Sequence, residues 1–181
     1  MKKELRILIA EDEYLVLMGL KNDLEELGHQ IVGEATDGET AVEKALEIKP
    51  DLIIIDINMP NMDGIEAIKT INEKLFIPSI IVTGYSDREL VERATEAGVF
   101  AYLIKPVDIK ELGPAIDIAM SRFAEFKKVN LELDDTKKAL EARKYIERAK
   151  GILMDTLSIS EKDAMRKLQQ KSQKKNLKIV D

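Results

Sequence analysis

The stretch Leu52-Ile53-Ile54-Ile55-Asp56-Ile57-Asn58-Met59-Pro60 runs four apolar residues into a carboxylate and then into a proline. An apolar run of strand length suits a central parallel strand, because helices cover both of its faces. Carrying a carboxylate into such surroundings costs free energy unless a cation or hydrogen bonds compensate. Asp56 is therefore expected at the carboxyl edge of the sheet's middle strand, close to something positive.

Outward from this stretch, short β-branched runs alternate with longer amphipathic segments. The runs are LRILIA (5–10), QIVGEA (30–35), DLIIID (51–56), IPSIIVTG (77–84) and VFAYLIK (99–105). Between them the periodicity predicts helices over Leu15–Leu27, from Asp37-Gly38 into Glu39–Ile48, over Gly64–Leu75 and over Asp87–Ala97. Gly28 and Gly98 stand where helix C-caps belong, and Asp37 where an N-cap does. Strands alternating with helices in this way predict βαβ units, a parallel sheet and right-handed crossovers that put helices on both faces.

Ligands of such sheets bind beyond the carboxyl ends of the strands. Glu11 and Asp12 follow the first run, Asp56 the third, Thr83 ends the fourth, and Lys105 the fifth. The topology thus gathers three carboxylates, a hydroxyl and an ammonium at one edge. Crowded carboxylates repel one another, and an all-oxygen set suits a hard cation such as Mg²⁺. With Thr83 and Lys105 to hold phosphoryl oxygens, Asp56 is placed to act as a nucleophile toward phosphorus.

These motifs resemble the receiver domain of bacterial two-component response regulators. The likeness rests on Glu11-Asp12, Asp56 with Met59-Pro60 and Met62-Asp63-Gly64, Thr83-Gly84 and Lys105-Pro106, and spans residues 4 to 122. It implies a flavodoxin-like, doubly wound, five-stranded parallel sheet of the α/β class. It also implies that Asp56 accepts a phosphoryl group from a sensor histidine kinase. Asp12, Asp56 and the carbonyl of Asn58 would hold Mg²⁺, with Glu11 helping through water. The Lys105-Pro106 peptide would be cis, and Tyr102 would occupy the family's aromatic switch position, although a tyrosine is equally at home in any strand. Asn58 and Tyr85 fall where the family tunes the lifetime of its phosphoryl bond. His29 follows a capping glycine and reads as a turn residue.

Beyond Pro106 the pattern becomes helical. Ile109, Ile116, Phe123, Asn130 and Lys137 share one heptad position, and Leu112, Ala119, Phe126, Leu133 and Leu140 the other. The first turns should pack on the sheet domain; the rest predicts a coiled coil between two copies, with Asn130 and Lys137 fixing register. Three further helical signals follow, over Leu140–Asp155, from Glu161 to about Lys171, and in the terminal KKNLKIVD. Within the first, Arg143-Lys144-Tyr145-Ile146-Glu147-Arg148-Ala149-Lys150-Gly151-Ile152-Leu153-Met154 is similar to the signature of ANTAR domains, RNA-binding antitermination modules. The likeness continues through Ser160, Ala164, Met165 and Leu168. Ser172-Gln173 departs from the family's Ala-Met, and the chain stops at Asp181 before the family's third helix would finish. The expected organisation is a receiver at 1–122, a coiled-coil linker helix at 123–140, and a small three-helix ANTAR domain at 141–181.

Composition narrows the function. The net charge of -6 divides unevenly: residues 137–181 carry 13 basic against 6 acidic side chains, a surplus of +7, leaving -13 on the rest. Arg143, Lys150, Arg166, Lys167, Lys171, Lys174 and Lys175 are the candidate phosphate contacts. Charge alone would also suit a solvated basic face. Tyr145 is the one aromatic residue of this tail, so the shape of a folded hairpin is a better target than a stacked single strand. The absence of cysteine excludes disulfides, thiolate metal sites and thiol catalysis. The apolar run near the N-terminus, about five residues, is too short for a signal peptide and no stretch approaches a membrane span, so the chain reads as cytoplasmic. The expected protein is not an enzyme but a phosphorylation-dependent regulator that dimerises, binds hairpins in mRNA leaders and opposes termination. The alternative is a response regulator whose helical tail binds DNA or a protein. A phosphatase with an aspartyl nucleophile would want a second aspartate at position 58, where Asn58 stands.

Overall fold

The computed structural model describes residues 4–84, 88–175 and 179. The strands are β1 (Arg6–Ala10), β2 (Gln30–Ala35), β3 (Leu52–Ile55), β4 (Ser79–Thr83) and β5 (Ala101–Ile104). The helices are α1 (Tyr14–Glu26), α2 (Gly38–Ile48), α3 (Gly64–Asn72), α4 (Arg88–Glu96), α5 (Ile109–Leu157) and α6 (Glu161–Lys175). All strand pairs are parallel, in the order β2-β1-β3-β4-β5. The order reverses between β1 and β3, which opens the crevice where such sheets bind ligands. This is the doubly wound α/β sheet that the alternating runs predict.

The period-2 alternation of side chains sends the two halves of β1 and β3 to opposite cores. Leu8, Ile53, Ile55 and Ile81 pack with α2, α3 and α4, while Ile7, Ile9, Leu52, Ile54 and Ile80 pack with α1 and the start of α5. In α5 it is Leu112, Ala115, Ile116 and Ala119 that face the second core. Among the described residues, no helix is long and apolar enough to cross a membrane.

Two glycines fix the loop after β3. A Cβ on Gly64 would run into the carbonyl of Asp56, and one on Gly38 into the backbone of Met62. Asp63 caps α3 by accepting from the Glu66 amide at 2.8 Å, and Asp37 caps α2 by accepting from the Thr40 amide at 2.8 Å. Helix α3 stops at Asn72, three residues before the expected Leu75. There the amides of Lys74 and Leu75 turn back onto the Ile71 carbonyl. Gly28 and Gly98 both adopt left-handed φ, as C-capping glycines do. Asp87, where α4 is expected to begin, and Tyr85 lie outside the described residues.

The chain divides into two compact units, residues 1–125 and 126–181. The expected linker helix and the helix expected over Leu140–Asp155 are one element, α5, which continues through Gly151 to Leu157. Phe123, assigned by heptad spacing to the coiled-coil seam, instead stacks on Phe76 at 6.1 Å and meets Phe100 edge-on at 5.7 Å. The sheet domain thus claims one more turn of α5 than the spacing suggests. Farther along, Leu133 and Leu140 stay about half exposed on a single copy, at 48% and 55%. In the second unit, Ser158 takes a left-handed φ and Ser160 caps α6. The Ser160 hydroxyl donates to the Asp163 carboxylate at 2.6 Å and accepts from the Asp163 amide at 3.2 Å. Ser160 is thus the N-cap of α6, its hydroxyl bonded both to the amide and to the carboxylate of Asp163. The terminal KKNLKIVD segment falls mostly outside the described residues, so the three-helix expectation rests there.

Asp37→Ala should cost about 1 kcal/mol of stability, read by urea unfolding. Hydrogen bonds from the Thr40 amide and hydroxyl hold the Asp37 carboxyl below its ordinary range. A folded-state pKa lowered in this way gives stability that is complete above the ordinary aspartate value and is lost as pH falls through the lower folded value. The parent–variant difference should therefore shrink only in acid. Gly64→Ala should destabilise by about 1 to 3 kcal/mol through overpacking against backbone. Gly19→Ala, in the middle of α1 with nothing near its missing Cβ, should instead stabilise by about 0.5 to 1 kcal/mol. Thermal unfolding of both variants checks the opposite signs.

Candidate functional site

Strand register brings the chemical groups together. Ala10 lies beside Ile55 and Thr83 beside Ile104, so the strands end level with one another. The ladder continues one residue further: the Glu11 amide donates to Ala35, Asp56 to Ala10 and Lys105 to Thr83, each at 2.9 Å. Backbone bonds, rather than loops, therefore aim Glu11, Asp56 and Lys105 into one crevice. The Lys105-Pro106 peptide is cis.

At the centre is the Lys105 ammonium. Its Nζ lies 2.7 Å from Asp56 Oδ2, 2.8 Å from the Glu11 carboxylate and 3.4 Å from Glu13 Oε1. Burial disfavours the charged lysine, but hydrogen bonds to Asp56 and Glu11 outweigh it and push its pKa well above the ordinary range. Glu11, 1% exposed, is raised as well: burial favours its neutral form, and Lys105 pulls it only partly back. The two directions agree physically, since a single ammonium shared among three carboxylates cannot fully compensate each of them.

Glu11 Oε1 accepts from Lys105 and from the Glu13 amide at 3.2 Å. Its Oε2 is also near the ammonium but out of line, and it is buried without a hydrogen bond. Carboxylate oxygens of Glu11, Asp12 and Asp56 all lie within 4.8 Å of one another. An orphaned buried oxygen in an all-oxygen cluster fits a small hard cation. Asp12 and Asn58 are exposed at the mouth, and the Asn58 amide donates to Asp56 Oδ1 at 3.3 Å. Thr83 is fully buried at the end of β4. Tyr102 is half-buried in β5, against the core formed by α2, α3 and α4.

Two partners escaped the sequence reading. Glu13 joins the ammonium from the same EDE run that supplies Glu11, a signal that was visible. Arg93 of α4 bridges to Asp63 at 2.7 Å, tying α4 to the residue that caps α3. Thirty residues separate these two, and nothing local announces the pair. His29 is more than a turn residue: it is buried, and its Nδ1 accepts from the Leu5 amide at 3.4 Å.

In the tail, Arg143, Arg166, Lys167, Lys171, Lys174 and Lys175 are exposed, as phosphate contacts must be. Lys150 is not. It is 8% exposed, and its ammonium is engaged by Glu161 at 2.6 Å and Glu147 at 2.8 Å. The expectation of an open cation at Lys150 is thereby corrected: counting charges along the chain does not reveal which are already neutralised.

Comparison with known proteins follows these two parts. Residues 7–117 match the response regulator receiver domain, and residues 134–181 match the ANTAR domain. The transcriptional regulatory protein PdtaR of Mycobacterium tuberculosis is 48% identical over 164 residues, covering 91% of this chain and 80% of that protein. Among solved structures, the receiver domain of a modulated diguanylate cyclase from Desulfovibrio desulfuricans superposes with a TM-score of 0.62 at 32% identity, over 66% of this chain and 96% of that one. CheY of Borrelia burgdorferi, crystallised with CheX, BeF₃ and Mg²⁺, gives 0.60 at 28% identity, over 65% and 88%. The chain belongs to the two-component response regulators that join a receiver domain to a C-terminal ANTAR domain.

Proposed function

We propose that phosphoryl transfer to Asp56 turns this regulator into an RNA-binding homodimer that grips hairpins in nascent transcripts and prevents termination. The observation that carries the reading is the Lys105 ammonium shared by Asp56 and Glu11 at the sheet edge, in a chain whose other domain is ANTAR.

In the proposed step, an Asp56 carboxylate oxygen attacks the phosphorus of a phosphohistidine on a sensor kinase. The O–P bond forms as the P–N bond breaks, and the imidazole leaves, taking a proton from water. The Thr83 hydroxyl donates to one phosphoryl oxygen, and the Lys105 ammonium follows the charge onto another. Glu11, Asp12, Asp56 and the Asn58 carbonyl would hold Mg²⁺, which when bound supplies positive charge beside the acids. Tyr102, half-buried on the neighbouring strand, would respond when Thr83 is engaged. The half-exposed Leu133 and Leu140 support pairing of α5 with a second copy, since an apolar stripe left in water favours association. Arg143, Arg166, Lys167, Lys171, Lys174 and Lys175 would then face the RNA backbone, where their effect should weaken with added salt.

A radiolabelled acetyl phosphate should mark the parent chain and leave Asp56→Asn unmarked; equal labelling of the two removes the proposal. Gel shifts of leader RNA should appear, or strengthen, only when the parent is phosphorylated. Asp12→Ala should raise the Mg²⁺ concentration for half-maximal labelling by at least about tenfold, while excess chelator should abolish labelling of the parent.

A further inference from the structure

The cations of the tail fall into two kinds. Those of α6 are exposed along the helix, whereas Lys150 of α5 is buried and held by two carboxylates from opposite directions. Glu147 lies one turn back on the same helix, so that pair is local. Glu161 is different: it is the first residue of α6, and it reaches back across the Ser158–Ser160 turn to α5.

The apolar contact of α6 is small. Of its side chains, Ala164 is the one fully buried, and Met165 and Leu168 are half-buried. A cleft of about 410 Å³ remains between the helices, lined by Ile152, Leu153 and Leu157 on one side and Lys167, Leu168 and Lys171 on the other. Apolar adhesion over so small a contact leaves the angle between two helices loosely set. An ion pair anchored at the first residue of α6, beside a left-handed Ser158 and a capping Ser160, adds a polar constraint. The carboxyl of Glu161 is drawn below its ordinary range by Lys150, and the Lys150 ammonium is pushed up by its hydrogen bonds to Glu147 and Glu161. Both directions report the same attraction.

We propose that Lys150 is a positioning residue, which through Glu161 sets α6 against α5 and so places Arg166, Lys167, Lys171, Lys174 and Lys175 for phosphate contact. Its consequence for RNA rests on the RNA-binding reading above; the clamp itself does not. The proposal inverts the usual expectation for charge. Removing an acid from a surface that meets RNA should strengthen binding by lifting repulsion. Here, neutralising Glu161 frees α6 and should weaken it.

The test uses the full chain, phosphorylated with acetyl phosphate, and a stem-loop RNA selected on the parent protein from a pool with randomised loops. Glu161→Gln and Lys150→Met should each weaken binding roughly tenfold or more at one stated salt concentration, and Lys150→Arg should restore most of it. Lys174→Ala, an exposed cation, should weaken binding modestly and lower the slope against log salt by about 1. In the unliganded protein, amide hydrogen exchange along α6 should quicken in Glu161→Gln and Lys150→Met but not in Lys174→Ala. Binding by Glu161→Gln that equals or exceeds the parent's overturns the proposal, as does unchanged exchange in both clamp variants. Lys150→Met also separates the clamp from a simple effect of Glu161 on the helix dipole, because Lys150 lies on the other helix. If the parent selects no RNA, the functional reading fails, and the exchange measurement decides the clamp alone.

Discussion

Two carboxylates buried at the end of an apolar sheet require a counter-charge, and in this protein a single lysine provides it. Asp56 and Glu11 reach their depth because the parallel ladder extends one residue past Ile55 and Ala10, and they remain there because Lys105 stands between them. The constraint works backward onto the fold. β5 must end level with β4 for the ammonium to arrive, and the turn after Lys105 must leave its side chain pointing into the crevice. A mid-sheet carboxylate with a fixed lysine beside it is a group held ready: its charge is compensated, yet the compensating partner can follow a charge transferred onto it.

Much of this was legible in the sequence because a parallel sheet writes its edge in a simple way. Four apolar residues before Asp56 mark a central strand, and the residue that breaks such a run has to lie at the crevice. Asp37 was equally readable, since capping is decided within four residues of chain. The pairs that were missed are distant ones. Arg93 with Asp63 and Lys150 with Glu161 depend on how helices meet, and their side chains look like ordinary surface charges until the packing is known. Phe123 shows a related limit. Heptad spacing selects residues on one face of a helix but cannot say whether a partner copy or the sheet domain covers that face.

The division of charge along the chain acquires a physical meaning from these contacts. The receiver gathers acids where a cation and a phosphoryl group would meet, so its negative charge is concentrated and partly compensated. The tail carries its positive charge on α6 and on the end of α5, where Lys150 is held by Glu147 and Glu161. Under the proposed function, one part would have its charge altered by a covalent event, and the other would respond to a polyanion through a field that falls off within about 10 Å in ordinary salt.

The loop from Asp56 to Gly64 has a further consequence for how such a sequence can vary. It is pinned at both ends by main chain lying against main chain, where Gly64 meets the Asp56 carbonyl and Gly38 meets Met62. No choice of side chain can reproduce those contacts. Drift at the exposed Asn58 or Pro60 alters what the crevice mouth presents while leaving its frame in place. An inserted or deleted residue would pull the frame apart. The mouth can therefore change its letters over generations but not its length.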